Sequence, residues 1–483
     1  MARSGAQAPG SSAANEITGE SVLLSFGTDG IRGVANLELS PELVMTIGRA
    51  VARVIPADRV AVGCDSRRSS TMLQAAVSAG VASEGADVYD LGVFATPGVA
   101  WYCETQGIPG IVISASHNPF RDNGVKVFAP GGLKLSEDVE KSIEAEIEGC
   151  IHGTRRKPRP TSGHAVGRII PVNGAEEAYI DHLIGSLGGR SLGNLALVVD
   201  CANGSAWKVF PETLRRAGAD VVAIGCSPDG VNINDDCGST HPETLAGEVV
   251  SLGAHMGLAV DGDGDRLVAV TGSGRVVDGD ELIALFALDL LDRGLLSGQT
   301  VVVSVMSNLG LTNLLKDRGI RVRETMVGDR HILEELDRLG LSLGGEQSGH
   351  IIFRSMATTG DGILTALMLS DLVVRSGKTL EELTTDLLKR VPQVLLNVTA
   401  PDPASVISTP EAIEALREAE EMLNGAGRVL VRASGTEPLV RIMVECDNED
   451  FAGELAGKLA GELKRVSMQN TLSSTSPQVM DAS

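Results

Sequence analysis

A chain of 483 residues is too long for one hydrophobic core, so its length predicts several domains. Its 43% hydrophobic and 22% charged residues are typical of a water-soluble globular protein, and we find no apolar run long enough to span a membrane. The formal net charge of −22 argues against nucleic acid and anionic membranes as partners, because both are themselves negatively charged.

The cysteines and the two ends of the chain indicate a cytoplasmic protein with polar tails. Seven cysteines are scattered without a Cys-x-x-Cys pair, which predicts free thiols in a reducing compartment. Residues 1–20 are rich in Ala, Ser and Gly and lack the apolar segment of a secretory signal. Residues 467–483 are mostly polar. We expect both tails to be disordered.

Three stretches of the chain repeat one order of elements: strand, polar turn, helix, glycine, strand. The first strands of the three copies are Arg59–Cys64, Leu195–Asp200 and Thr300–Val305. The repeat predicts three similar mixed α/β domains, with the polar turns at the carboxyl ends of their strands.

Domain boundaries are placed where this pattern breaks. We assign the three α/β domains to residues 21–170, 171–275 and 276–390. Residues 391–466 instead predict a helix, two strands and a helix, which is a smaller α+β domain. The four domains are expected to surround a central cleft.

A polar loop follows a buried strand in the first domain. The apolar stretch Gly110–Ile113 runs directly into the hexapeptide at 114–119, which contains Ser116 and His117. Ligands of open α/β sheets bind beyond the carboxyl ends of the strands, and a hydroxyl beside an imidazole is a candidate nucleophile there. The alternative is an ordinary Ser or Asx turn that ends a strand.

Two other segments of the first domain carry a cationic side chain. Asp122-Asn123-Gly124 is a hairpin-turn signal, which places Lys126 in the strand that follows. The glycine-rich stretch Phe26–Gly33 contains Arg32, a bidentate donor suited to phosphate. A plain turn with an exposed arginine is the alternative for this second segment.

An acidic loop follows the strand that ends at Val260. Asp261, Asp263 and Asp265 alternate with glycines, and carboxylates this close repel each other unless a cation lies between them. Hard oxygen ligands of this kind suit Mg²⁺. An EF-hand calcium loop is excluded because no glutamate stands at the twelfth position from Asp261.

Two later loops carry groups that bind sugars and phosphates. In the stretch Gly345–His350, Glu346 and Ser348 are able to hydrogen-bond sugar hydroxyls, with an ordinary turn as the alternative. A second loop and the strand after it supply hydroxyls, a backbone N–H and two guanidinium groups to a phosphate cradle. The cradle residues are Arg432, Ser434, Gly435, Thr436 and Arg441.

These motifs, in this order, resemble the four active-site loops of the α-D-phosphohexomutases, and the match runs from about Phe26 to about Arg465. The resemblance implies a phosphoserine at Ser116, with Arg32 and Lys126 stabilising the transferring group and moving protons, and His117 positioning it. It also implies one Mg²⁺ per active site. Its ligands would be Ser116, Asp261, Asp263 and Asp265.

The implied activity is that of an isomerase acting on a small sugar phosphate. Gln347, between Glu346 and Ser348, is typical of the family's amino-sugar branch, which converts glucosamine 6-phosphate to glucosamine 1-phosphate for cell-wall precursors. Glucosamine 1,6-bisphosphate would be both intermediate and primer. The alternative is the phosphomannomutase/phosphoglucomutase branch. A non-catalytic sugar-phosphate regulator would be expected to have lost some of these residues. The oligomeric state stays open, with a homodimer as one candidate.

Overall fold

The computed structural model describes residues 26–27, 29–154, 161–434 and 438–474. Within these ranges, no helix combines the length and the apolar character needed to cross a bilayer. The strands of the described residues form four sheets, one for each of four successive parts of the chain.

The first part is built on a seven-stranded mixed sheet in the order β1-β5-β4-β2-β3-β7, with β6 paired to β5. Its elements are β1 (Ile31–Val34), α1 (Pro41–Val54), β2 (Arg59–Cys64), α2 (Ser70–Ser83), β3 (Asp87–Val93), α3 (Thr96–Gln106), β4 (Gly110–Ile113), β5 (Asp122–Ala129), β6 (Leu133–Lys134), α4 (Glu137–Ile151) and β7 (Ile169–Pro171). Helix α1 begins as its sequence predicts, because the Ser40 side chain accepts a hydrogen bond from the backbone N–H of Leu43.

The second and third parts have sheets of five and four strands. The second contains α5 (Ala175–Gly185), β8 (Ala196–Asp200), α6 (Val209–Arg216), β9 (Asp220–Ile224), α7 (Glu243–Leu252), β10 (Met256–Val260), β11 (Leu267–Thr271) and β12 (Val276–Val277). The third contains α8 (Gly279–Asp292), β13 (Thr300–Ser304), α9 (Leu309–Asp317), β14 (Arg321–Thr325), α10 (Asp329–Leu339), β15 (Leu343–Gly345), β16 (Ile351–Phe353), α11 (Gly362–Ser376) and α12 (Leu380–Thr384).

All three sheets contain the same four-strand unit, which confirms the prediction of three similar α/β domains. The units are β3-β2-β4-β5, β9-β8-β10-β11 and β14-β13-β15-β16. In each unit the first three strands are parallel and the fourth is antiparallel. The connection to the antiparallel strand therefore starts at the same place in every domain, beyond the carboxyl end of β4, β10 or β15.

The predicted hairpin turn at Asp122-Asn123-Gly124 is wrong. These residues lie inside β5, where Gly124 is paired with Arg32 of β1. The chain turns earlier, between the end of β4 and Asp122. Gly124 allows its strand to pack closely against the serine loop and does not form a turn, because a Cβ atom there would lie 2.5 Å from the carbonyl oxygen of Ser114.

The fourth part is a three-stranded antiparallel sheet in the order β17-β19-β18. Its elements are β17 (Gln393–Thr399), α13 (Pro403–Ile407), α14 (Pro410–Leu423), β18 (Gly427–Ala433), β19 (Leu439–Cys446) and α15 (Glu449–Ser474). Strand β17 was not predicted, because the consecutive apolar residues Val394, Leu395 and Leu396 hide the alternation expected of a half-buried strand. Helix α15 continues into the segment that the sequence assigned to the C-terminal tail.

One large hydrophobic cluster extends through the first three domains, beside smaller separate clusters in each of them, whereas the fourth domain has its own. A single cluster joins Phe94 and Val99 of the first domain to Val199 of the second and to Phe286 and Leu343 of the third. The apolar residues of the fourth domain form a separate cluster between its sheet and helices α13 to α15. The fourth domain is therefore the unit best able to move as a body.

Helices α1 and α2 pack closely through two glycines. A Cβ atom on Gly80 would lie 2.2 Å from the carbonyl oxygen of Met45, and one on Gly48 would lie 2.4 Å from that of Val77. Because both obstructing atoms belong to backbone, neither side of the contact is able to yield without moving a helix.

We predict that Gly80→Ala lowers the free energy of unfolding by about 1–3 kcal/mol, because the added methyl group forces the two helices apart. The matched control is Gly247→Ala in α7, where a Cβ atom meets nothing within 4 Å. That change should stabilise the protein by about 0.5–1 kcal/mol through helix propensity. Urea denaturation followed by circular dichroism measures both, and equal effects would contradict the packing argument.

Candidate active site

Ser116 lies just beyond the carboxyl end of β4 and is fully buried. Its backbone is left-handed, with φ of 52°, which is unfavourable for a residue with a side chain. The hydroxyl donates a hydrogen bond to Asp261 Oδ2 at 2.5 Å, and His117 Nδ1 lies 3.3 Å from Ser116 Oγ. The predicted nucleophile and the acidic loop, which belong to different domains, therefore meet directly.

The acidic loop is buried, and its three aspartates offer oxygens that lie within 4.8 Å of one another. Burial, and then the charges of Asp265 and Asp263, raise the pKa of Asp261 well above its ordinary value. One carboxylate oxygen each of Asp263 and Asp265 is buried without a hydrogen-bond partner among the described residues. Such orphaned oxygens fit a hard divalent cation. The geometry thus fits Mg²⁺ held by the three aspartates beside Ser116.

Lys126 lies among the carboxylates, and its side chain is 2% exposed. Its Nζ is 2.7 Å from Asp263 and from Asp29, and 3.4 Å from Asp265. Burial alone would lower the pKa of Lys126, but these three carboxylates raise it well above its ordinary value. The sequence predicted a cation near the serine, and the structure places that cation against the acidic loop.

Arg32 and His117 both contact the serine loop. The Arg32 guanidinium donates to the carbonyl oxygen of Ala115 at 3.1 Å and to Asn118 Oδ1 at 3.2 Å, and it pairs with Asp29. Burial, and then the positive charges of Arg266 and Arg32, lower the pKa of His117 to about 4. His117 is therefore a neutral imidazole near pH 7.

The third domain reaches the site through charged residues and the predicted sugar-binding loop. Lys134 Nζ lies 3.0 Å from Asp29 and 2.9 Å from Asp329, so it joins the first domain to the third. His350 lies between Asp265 and Asp329, at 3.7 Å from each. Glu346 accepts a hydrogen bond from the backbone N–H of Gly328 at 3.2 Å.

Ser348 is exposed in the same loop as Glu346, so a ligand has free access to its hydroxyl. The two side chains predicted to read the sugar therefore lie in one connection, between β15 and β16.

The predicted phosphate cradle brings two arginines side by side. Arg432 and Arg441 are directly opposite each other on β18 and β19, and both line a cavity of about 150 Å³. Like charges in such a pair repel, and Nε of Arg432 is buried without a hydrogen-bond partner in the part of the chain that the structure describes. Partial burial and then Arg441 lower the pKa of Arg432. An anion bound between them would remove the repulsion.

Ser434 directly follows β18, and its backbone N–H donates a hydrogen bond to the carbonyl oxygen of Leu439. The other two residues predicted for this cradle, Gly435 and Thr436, lie outside the described residues.

Several residues that the sequence interpretation missed support the serine and acidic loops. Asp65 accepts from the Ser114 hydroxyl at 2.6 Å and pairs with Arg67, which donates to the carbonyl oxygen of Ser116 at 3.0 Å. Thr96 donates its hydroxyl to Asp263 at 2.7 Å. The Asn234 amide also reaches the Ser116 carbonyl. The sequence pattern that could have identified Asp65 and Arg67 is the polar run at residues 65–70, directly after β2.

Three repeated α/β domains and a smaller fourth domain, with a serine and an acidic loop meeting between the first two, define the class of the phosphohexomutases. Four domain models of the phosphoglucomutase/phosphomannomutase family match the chain. They are alpha/beta/alpha domain I at residues 23–150, domain II at 177–274, domain III at 278–391 and the C-terminal domain at 395–462. The chain belongs to this family.

Its relatives and structural neighbours agree with that assignment. The phosphoglucosamine mutase of Pelotomaculum thermopropionicum is 50% identical over 91% of this chain and 99% of its own length. That of Saccharopolyspora erythraea is 48% identical over 90% and 98%. Among solved structures, a phosphoglucomutase/phosphomannomutase family protein of Burkholderia thailandensis has the same fold, with a TM-score of 0.75, 24% identity and coverage of 92% and 97%.

A more distant structural neighbour is N-acetylphosphoglucosamine mutase of Aspergillus fumigatus, solved in complex with GlcNAc-6P and magnesium. It aligns with a TM-score of 0.65 and 17% identity, covering 92% of this chain and 96% of the other. At this identity the likeness shows the fold.

We predict that Asp263→Asn weakens Mg²⁺ binding by about tenfold or more, equivalent to about 1.4 kcal/mol, because one of three anionic ligands is lost. Isothermal calorimetry with Mg²⁺ alone measures this without an activity assay. Asp181→Asn is the matched control, since that aspartate is 76% exposed on α5 and undergoes the same change of charge. Equal Mg²⁺ affinities for the two variants would show that the acidic loop does not hold the metal.

Proposed function

We propose that the chain interconverts glucosamine 6-phosphate and glucosamine 1-phosphate, through a phosphorylated Ser116 and glucosamine 1,6-bisphosphate. The observation that carries the proposal is the hydrogen bond of 2.5 Å between the Ser116 hydroxyl and Asp261, within a buried set of carboxylates that fits Mg²⁺. The amino-sugar substrate is supported by the relatives named phosphoglucosamine mutase, at 50% and 48% identity.

The substrate is held at both ends of the cleft. Its 6-phosphate binds between Arg432 and Arg441, whose repulsion it relieves, and its hydroxyls contact Glu346 and Ser348. This arrangement presents the sugar O1 to the serine loop. The binding energy of the distant phosphate thereby holds the reacting oxygen in place.

The first transfer breaks the bond between phosphorus and Ser116 Oγ and forms a bond between phosphorus and the sugar O1. The proton of O1 ends on the serine oxygen. The family resemblance assigned its movement to Arg32 and Lys126, but His117, whose Nδ1 lies 3.3 Å from that oxygen, is placed to relay it. Arg32 and Lys126 supply positive charge beside the serine and acidic loops. Mg²⁺ held by Ser116, Asp261, Asp263 and Asp265 would neutralise charge on the transferring phosphoryl group.

The second transfer is the reverse reaction at the other end of the sugar. The bisphosphate turns around, its 1-phosphate enters the cradle, and its 6-phosphoryl group returns to Ser116. The separate core of the fourth domain supports this sequence, because a domain that moves as a body can hold and release one phosphate without disturbing the serine loop.

A phosphomannomutase or phosphoglucomutase is the second candidate function, since the matching family models carry those names. The two candidates use the same serine, metal and phosphate loops. They differ in the sugar hydroxyls that the Glu346 loop contacts, so rates on glucosamine, glucose and mannose phosphates measured side by side distinguish them.

We propose a cytoplasmic location as well, which the free state of all seven cysteines supports. A homodimer stays a prediction, and size-exclusion chromatography with light scattering tests it.

We expect Ser116→Ala to abolish turnover while the variant still binds glucosamine 1,6-bisphosphate, because the phosphoryl carrier is lost and the phosphate cradle is untouched. Coupled assays and calorimetry measure the two properties. Turnover within about tenfold of the wild type, where loss of a covalent nucleophile normally costs far more, would remove Ser116 from the mechanism.

Arg432→Ala should lower kcat/KM for glucosamine and glucose phosphates by the same factor, on the order of 10- to 100-fold for a lost charge-assisted hydrogen bond. The cradle holds the phosphate, which both substrates share. Arg417→Ala is the control, because Arg417 lies in the same domain on the exposed face of α14 and changes the charge equally. A large change in the ratio of kcat/KM between glucosamine and glucose phosphates would mean that the cradle contributes to recognition of the sugar.

A further inference from the structure

An unusual concentration of strained backbone surrounds the serine. Five residues other than glycine have positive φ in the serine loop and in the domain 2 segments near it. They are Ser116 (52°), Ala202 (53°), Asn203 (48°), Asn234 (57°) and Asp236 (50°). Such conformations persist only where surrounding contacts fix them, and they concentrate at functional sites.

Asn234 connects the second domain to the serine. It is 7% exposed, and its Nδ2 donates to the carbonyl oxygen of Ser116 at 2.9 Å and to that of Asn118 at 3.1 Å. Gly262 of the acidic loop closes over this contact, since a Cβ atom there would lie 2.7 Å from the Ser116 oxygen and 2.8 Å from Asn234 Nδ2. The amide therefore lies between the nucleophile and the predicted metal loop.

Arg67 reaches the same two carbonyl groups from the first domain. Its Nη2 lies 3.0 Å from the Ser116 oxygen and 2.5 Å from the Asn118 oxygen, and its other end is paired with Asp65. A carbonyl oxygen has two lone pairs, and here one donor from each domain occupies them. Together the two donors fix the peptide plane that follows Ser116.

The segment that carries Asn234 is itself rigid. The Asn232 side chain bonds to both sides of its turn, to the backbone N–H of Asp229 at 3.0 Å and to the carbonyl oxygen of Ser227 at 3.1 Å. The backbone N–H of Asn234 donates to Ala202 at 3.0 Å, and Gly230 accepts from the backbone N–H of Arg68 at 2.8 Å. A held segment is what precise placement of a donor requires.

We propose that Asn234 is a positioning residue for phosphoryl transfer. Its amide, together with Arg67, holds Ser116 in the left-handed conformation that directs the hydroxyl at Asp261. Because Arg67 and Asn234 belong to different domains, the serine is correctly oriented only when the first two domains are docked. This inference rests on the proposed function, in which Ser116 carries the phosphoryl group.

Two variants remove the amide donor, and only the aspartate variant adds a buried negative charge. Asn234→Gly tolerates the positive φ, and Asn234→Asp keeps the shape of the side chain but has no N–H to donate. Asp235→Asn is the matched control, because Asp235 is adjacent and exposed. The change replaces a carboxylate by an amide, which is the reverse of Asn234→Asp. If the glycine variant proves unstable, the aspartate variant gives the same comparison.

Both Asn234 variants should lower kcat by about 10- to 100-fold, the cost of misplacing a reacting group by about an ångström. KM for glucosamine 6-phosphate should change less than about threefold, since the cradle holds the distant phosphate. The ³¹P resonance of the phosphoserine should shift or broaden in both variants, because its backbone is no longer fixed. The control should match the wild type in all three measurements.

A kcat within about twofold of the wild type, with an unchanged ³¹P resonance, would overturn the proposal. So would a fall in thermal midpoint beyond about 4 °C with kcat and resonance unchanged, because Asn234 would then serve stability alone. The wild-type spectrum separates this inference from the proposed function. A wild type that turns over without a phosphoserine resonance contradicts the proposed function, whereas a normal wild type with unaffected variants contradicts only the role of Asn234.

Discussion

Four buried or nearly buried carboxylates lie where the first two domains meet, and so many like charges are tolerated together only with cations among them. The second domain supplies Asp261, Asp263 and Asp265. The first domain supplies Asp29 and also Lys126, whose ammonium group pairs with Asp29, Asp263 and Asp265. Removing one partner from a buried ion pair typically costs about 3–5 kcal/mol. Charge balance therefore holds the two domains in register, and it does so at the place where the chemistry needs them.

The same balance extends to the third domain. Lys134 lies between Asp29 and Asp329, and His350 lies between Asp329 and Asp265. These contacts form a closed path of alternating acidic and basic side chains through three domains. The fourth domain takes no part in this path, and its paired arginines, Arg432 and Arg441, instead line a cavity. Three domains thus form a fixed centre for phosphoryl transfer, and the fourth presents a receptor for the phosphate that does not react.

Sequence reasoning identified the site residues that belong to short local motifs. Ser116, the three aspartates and Glu346 each belong to a short polar segment after an apolar strand, and the repeated four-strand unit places all three segments at equivalent connections. Asn234 escaped notice because its partner is 118 positions away, so no local pattern records the contact. The Asp122-Asn123-Gly124 signal misled because glycine permits close approach as well as turning, and only the neighbouring strand decides between the two. Strand β17 was missed because its consecutive apolar residues hide the alternation expected of a half-buried strand.

The shared core has a consequence for how the chain is made. Phe94 and Val99 of the first domain belong to a cluster whose members lie as far along the chain as Phe286 and Leu343. A ribosome adds about 5–20 residues per second, so these inner faces emerge tens of seconds before the segments that cover them. The first domain therefore emerges with part of its apolar surface uncovered, although a separate cluster of its own residues is complete by Ile147. The last domain, whose core lies within one continuous segment, is able to fold as soon as it has been synthesised.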